Sequence, residues 1–147
     1  MAERRMLSKS IVDSDAFLEM PISAQLLYFH LNMRADDDGF VGNPRSIMRL
    51  VKVSDDDMRI LITKRFVLIF ESGVVVIKHW RIHNYIRNDR YKETNYTKEK
   101  KELTLDSKNA YTEINKYVGI PSDNQMDTNG IPNGYQMDTQ DRIGKDS

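Results

Sequence analysis

Residues 54–77 read SDDDMRILITKRFVLIFESGVVVI, and the change of period inside this stretch decides the fold. Ser54 sets a capping hydroxyl ahead of Asp55, Asp56 and Asp57, where the dipole of a helix N-terminus favours negative charge. Met58, Leu61, Ile62 and Phe66 then recur at three- and four-residue steps, with Arg59, Ile60, Thr63 and Lys64 left on the other side. From Val67 the period is that of a strand. Two β-branched runs, 67–70 and 74–77, flank Glu71-Ser72-Gly73, which is the pattern of a β-hairpin.

Working back from Ser54, Asn43-Pro44 opens a helix to about Val51, a cap followed by proline at the first helical position. Its apolar Ile47, Leu50 and Val51 are predicted to face inward, and Arg45, Arg49 and Lys52 outward. Phe40-Val41 forms a short extended piece after the turn Asp36-Asp37-Asp38-Gly39. Ser23 is read as the cap of a helix over 24–33 in which Leu26, Phe29 and Met33 widen the apolar stripe, so that most of its sides are buried. Ser14 caps a short helix that Pro21 stops after Met20. The predicted fold class is α+β: a winged helix-turn-helix of three to four helices plus a β-hairpin, then a basic segment and a disordered tail. A three-helix module with an accessory hairpin has the same element order.

Charge and composition divide the chain. The 147 residues carry 22 basic and 22 acidic side chains, so net charge names no partner and only its distribution can. Residues 78–102 hold eight basic and four acidic side chains, while 103–147 hold four and seven. The domain boundary is therefore placed at 102, with 1–102 the folded domain and its basic extension. Residues 103–147, rich in Gly, Pro, Asn, Asp and Ser and carrying Gln-Met-Asp-Thr at both 125–128 and 136–139, read as a flexible linker leading toward a further domain. No cysteine is present, which excludes disulfides, thiolate zinc sites and a thiol nucleophile. No apolar run approaches a membrane span, and Met1-Ala2-Glu3-Arg4-Arg5 lacks the apolar stretch of a signal peptide.

Three segments carry a resemblance: MPISAQLLYFHLNMRADDDGFVGNP at 20–44, SDDDMRILITKRFV at 54–67 and IKHWRIHNYIRNDRY at 77–91. Over roughly its first hundred residues the chain resembles the N-terminal region of phage and prophage replication initiation proteins of Gram-positive bacteria, the replisome organisers or DnaD-like initiators. The resemblance implies a winged-helix DNA-binding domain in the cytoplasm of a bacterial host, followed by a linker and a further C-terminal domain. It also implies DNA as partner and a replicative helicase loader reached through a region that this chain lacks; a homo-oligomer is expected separately, because winged-helix modules often self-associate.

The expected DNA-contacting residues follow from exposed positive charge. Arg45, Arg49 and Lys52 lie on the second helix of the motif. Arg59, Thr63 and Lys64 lie on the third, the one expected to enter a major groove. Lys78, Arg81, Arg87, Arg90, Lys92, Lys98, Lys100 and Lys101 lie in the basic segment, where phosphate contacts position without specifying. The three aspartates at 55–57 oppose deep insertion, since they would repel phosphate. The aromatics Trp80, Tyr85, Tyr91 and Tyr96 interleave with these cations, but packing of Trp80, Ile82, Tyr85 and Ile86 on the globule is the favoured reading.

His79 and His83 have the spacing of a helical metal pair, yet no third ligand follows, and satisfied histidines are expected. Asp36-Asp37-Asp38-Gly39 fails the spacing of a calcium loop and reads as a turn. With no phosphate loop, nucleophile elbow or acid–base pair in a recognisable context, no enzyme, cofactor or metal is expected. Two further functions fit the same sequence. One is a regulator acting at a promoter; the other is a protein–protein adaptor using Ile60, an apolar residue on an otherwise polar helix face.

Overall fold

The computed structural model describes residues 4–114, and one compact unit spans Met1–Glu113. Its elements in order are α1 (Lys9–Val12), α2 (Asp15–Leu18), α3 (Ile22–Arg34), β1 (Phe40–Val41), α4 (Pro44–Val51), α5 (Asp55–Thr63), β2 (Val67–Ile69), β3 (Val75–Ile77), α6 (Trp80–His83), α7 (Thr97–Lys100), β4 (Leu103–Leu105) and β5 (Tyr111–Glu113). Helices and small antiparallel sheets are thus combined in an α+β arrangement.

The local signals act much as their chemistry requires. Ser14 Oγ accepts the Phe17 N–H at the start of α2, and Asn43 Oδ1 accepts the Ser46 N–H at the start of α4. The hairpin closes through Gly73, at φ 90°, with the Gly73 N–H donating to Phe70 O. Strand β3 is central: β1 pairs with it antiparallel through Phe40↔Val76, and β2 through Leu68↔Val76, giving the order β1-β3-β2. Helix α3 packs on α4 and α5, and α5 packs on β2, with Leu27, Tyr28, Leu31 and Leu61 fully enclosed. Phe17, Tyr28 and Phe66 meet edge to face at centroid distances of 5.2–5.7 Å and tie α2 to α3 and to the end of α5.

Several expectations are corrected. Ser23 does not cap α3, which starts after Pro21; its hydroxyl donates instead to Asp57 Oδ1 at 2.6 Å and joins α3 to α5. Helix α3 is buried on one face only, because Ile22, Leu26 and Met33 remain exposed. Leu50 is 64 % exposed and Ile69 53 % exposed, so neither serves the core. Ile60, expected on the outside, is partly buried and packs against the core.

The largest correction concerns the boundary at 102. Residues 103–113 form a second hairpin, β4–β5, paired Leu103↔Glu113 through Leu105↔Tyr111. Leu103, Ala110 and Tyr111 are buried, the Tyr111 N–H donates to Lys78 O, and its hydroxyl donates to Asp38 O at 2.7 Å. Alternation in this stretch is only three residues long on each side of a polar turn, too short to register against the acidic composition. The expected flexible segment from 115 onward lies outside the described residues.

Candidate nucleic-acid interface

The turn at 36–39 organises everything downstream of the first hairpin. Asp36 Oδ1 accepts the N–H groups of Asp38 (3.0 Å) and Phe40 (2.9 Å), an Asx-type closure, and its Oδ2 accepts the Thr94 hydroxyl. Burial raises the Asp36 carboxyl above the usual carboxylate range, against the pull of those donors. Asp37 Oδ1 lies 3.3 Å from the Arg5 guanidinium, its Oδ2 accepts the Lys92 N–H, and its backbone oxygen accepts the Trp80 indole N–H. Asp38 is fully buried and accepts from the Tyr91 hydroxyl, the Thr94 N–H and the Lys100 ammonium. Between them these carboxylates fasten the N-terminal arm, α6 and the whole 91–100 segment. Gly39, at φ 91°, lets the turn approach that closely, since a Cβ there would sit 2.6 Å from Trp80 Cγ.

This hub removes two residues from the expected DNA contacts. Lys100 is held by Asp38, Glu93 (3.3 Å) and the Tyr91 hydroxyl (3.0 Å). Burial alone would lower its pKa, but these partners outweigh that and hold it above the ordinary lysine value. Lys78 is turned inward with its Nζ donating to Tyr111 O at 3.0 Å, and burial followed by the nearby Arg65 charge lowers its pKa. Both are structural cations. Lys98 remains exposed but shares a shallow depression with Glu71, Glu99 and Glu102. Arg87 pairs with Asp89 at 3.1 Å, while Arg90, Lys92 and Lys101 are exposed without an acidic partner among the described residues.

The α4–α5 region keeps its charge on the surface. Residues 43–65 hold six cations against three carboxylates. Arg45 and Arg59, from different helices, line one cleft of about 470 Å³ with Met58, Ile62 and the hairpin residues Ser72 and Gly73. Arg45 pairs with Asp55 at 3.5 Å and Arg59 pairs with Asp56, all four side chains being well exposed. Asp57, by contrast, is buried, its carboxylate accepting from the Ser54 N–H (3.0 Å) and the Ser23 hydroxyl. The three-aspartate run is therefore one internal fastener and two partly neutralised surface acids, a weaker obstacle to phosphate than the sequence suggests. Arg49, Lys52, Thr63 and Lys64 are exposed, and Lys52 ends α4 in the left-handed conformation, φ 63°. Arg65 is engaged by Glu113 at 2.7 Å.

Arg81 and Lys100 line a separate, more polar cleft of about 420 Å³ with Trp80, Asn84 and Tyr85. Cations of the two sets thus line different clefts, Arg45 and Arg59 the first and Arg81 and Lys100 the second. Of the interleaved aromatics, Trp80 is buried and Tyr91 and Tyr96 are half-buried, but Tyr85 is 79 % exposed, against the expectation that it packs on the globule.

The expectation of satisfied histidines is met by His83 and not by His79, whose Nδ1 is buried without a hydrogen-bond partner among the described residues. His83 Nδ1 accepts the Ser8 N–H at 2.8 Å and its Nε2 bonds the Tyr28 hydroxyl at 2.6 Å, so both ring nitrogens are used. Among the described residues no group of three or more His, Asp or Glu side chains is placed to hold a metal ion, and no helix is long and apolar enough to cross a membrane. No family model, curated protein or solved structure matches this chain.

Proposed function

We propose that residues 1–113 are a winged-helix, non-enzymatic DNA-binding module of a phage-type replication initiation protein, with α4 and α5 as its duplex-binding face. The order α3-β1-α4-α5-β2-β3 with sheet order β1-β3-β2 supports the winged-helix reading, with α5 as the helix presented to the groove. The replication role rests on the sequence resemblance described above.

One observation carries the choice of face: Arg45, Arg49, Lys52, Arg59 and Lys64 of α4–α5 all stay at the surface, whereas the extension gives up Lys78 and Lys100 to the fold. Arg49, Lys52 and Lys64 have no carboxylate partner among the described residues, and the Arg45 and Arg59 pairs are exposed enough to be worth only about 0–1 kcal/mol each. A phosphate can replace such a partner at little cost. The adaptor reading loses its motive because Ile60 packs inward.

Five phosphate contacts from Arg45, Arg49, Lys52, Arg59 and Lys64 would give a slope of log affinity on log salt of about −4.5, at about −0.9 per contact. The full chain with a fluorescein-labelled duplex, titrated by anisotropy between low and moderate salt, should show it. The R49A/K52A/K64A variant should flatten the slope to about −2. Salt-independent binding, or a slope unmoved by the triple variant, would remove α4–α5 as the duplex face.

A further inference from the structure

The cleft of about 420 Å³ beside α6 is not used by the duplex-binding face, and its lining has a composition of its own. Its floor includes Trp80 and Ile86, flat and apolar, and Tyr85 stands at its edge as the only aromatic of this segment left facing solvent. Three amides, Asn84, Asn88 and Asn109, also line it.

Asn84 is the informative one. Its residue exposure is only 8 %, and its Oδ1 accepts the Met6 N–H at 2.8 Å. That bond fixes which end of the amide points where, since an N–H donor selects the oxygen. Its Nδ2 is left buried with no hydrogen-bond partner. A buried amide donor without an acceptor is unfavourable, and water or a ligand must supply what the protein does not. Asn84 is among the residues that line the cleft.

We infer that this cleft receives a single unpaired nucleobase. A base offers a π-face for Tyr85 and carbonyl or ring-nitrogen acceptors for Asn84 Nδ2. It also has mixed donor and acceptor edges that suit the other two amides, each of which can give and take hydrogen bonds. Arg81 in the lining and Arg90 in the adjoining turn are exposed and stand ready for the phosphates on either side. The volume falls in the range of sites that enclose a small ligand, roughly 300–1,000 Å³. A base stacked in a duplex cannot enter a concave site without leaving the helix, so the ligand is an unstacked base from a single strand or a free nucleotide. The inference shares with the proposed function the premise of a nucleic-acid partner, and adds that the chain distinguishes unpaired from paired DNA through a second site.

The test uses the full chain, with labelled single-stranded 10-mers of dT and dA, a labelled duplex, and the mononucleotides dTMP and dAMP. Tyr85→Ala should weaken 10-mer binding about tenfold, in line with the loss of one stacked base, and leave duplex affinity within about twofold. Tyr85→Phe should bind like the wild type, since the ring and not the hydroxyl does the stacking. Asn84→Asp keeps the acceptor for the Met6 N–H but turns the free donor into a carboxylate oxygen, and should also weaken the 10-mer about tenfold. Tyr85 is at the surface, so its replacement should leave the fold intact, to be checked by circular dichroism. A 10-mer affinity more than tenfold above that of the mononucleotides makes a strand the natural source. Equal affinities uphold the cleft and make a free nucleotide the source. Single-strand binding unaffected by Tyr85→Ala refutes the base cleft and leaves the duplex proposal standing. Duplex binding without a salt slope, alongside Tyr85-dependent binding of the 10-mer, refutes the α4–α5 face and leaves the cleft.

Discussion

Acidifying the solution from pH 7 to pH 5 should cost about 2 kcal/mol of stability through His83 alone. The Ser8 N–H donates to Nδ1, so the neutral ring carries its proton on Nε2, toward the Tyr28 hydroxyl. A second proton would have to go on Nδ1, where it would face a backbone donor in a buried site. Burial, reinforced by the neighbouring His79, accordingly lowers the His83 pKa from 6.5 to about 4. A base whose folded pKa is depressed binds more protons when unfolded. Its contribution is complete above about pH 6.5 and is lost as pH falls toward 4. At pH 5 the unfolded histidine is almost wholly charged and the folded one almost wholly neutral, which gives the figure above. His79, lowered to about 4 by burial and by Lys78, acts in the same direction but is more accessible and adds less. Urea unfolding at pH 7 and pH 5, for the wild type and for His83→Asn, isolates the term, because the other titrations are common to both proteins. The asparagine oxygen can still accept from Ser8, and the variant should lose about 2 kcal/mol less than the wild type between the two pH values. Equal losses in the two proteins would refute the assigned ring state. So would an NMR titration placing His83 near 6.5.

Two other perturbations test the packing directly. A chain ended after Glu102 lacks the β4–β5 hairpin, and with it Leu103, Tyr111 and the hydroxyl bond to Asp38 O; it should be less stable by about 3 kcal/mol or more, whereas a chain ended after Ile114 should melt close to the full-length protein. Equal melting of the two truncated chains would return the boundary to 102. Gly39 and Gly73 have nearly the same positive φ, 91° and 90°, but a Cβ at 39 meets the Trp80 ring and one at 73 meets nothing within 4 Å. Gly73→Ala should therefore cost about 1 kcal/mol from backbone strain, and Gly39→Ala at least about 2 kcal/mol more, measured by thermal unfolding; similar losses at both sites would dissociate Gly39 from the Trp80 packing.

The helices and the first hairpin are legible in the sequence because each is set by its own neighbours. Ser14, Asn43-Pro44 and the switch of period at Val67 act within a few residues, and the structure follows them. What sequence reading misses depends on distant partners. Ser23 has the chemistry of a cap, but a buried carboxylate on α5 offers its hydroxyl a better partner than its own helix does. Asp36, Asp37 and Asp38 read as a solvated turn because nothing nearby announces their partners Arg5, Tyr91, Thr94 and Lys100, which lie 32 to 62 positions away along the chain. Leu50, Ile69 and Tyr85 are apolar or aromatic at positions where composition favours burial, and only the completed surface leaves them outside.

The same long-range pairing moves the expected site. Counting charges along the chain makes 78–102 the most basic segment, yet charge available to a ligand is what remains after the fold has used its share. Lys78 holds β5, Lys100 neutralises Asp38 in the interior, Arg87 meets Asp89, and Lys98 lies among three glutamates. In α4–α5 the balance runs the other way, because Asp57 is committed inward to Ser23 and Ser54 while the cations around it stay at the surface. The segment that looks like a phosphate-binding arm is thus mainly a strap fastened to the aspartate turn. Among its exposed groups, Tyr85 with Arg81 and Arg90 form the set that the proposed base cleft would use. The two proposals assign duplex capture and single-base capture to different elements, and for that reason Tyr85→Ala and R49A/K52A/K64A should impair different ligands.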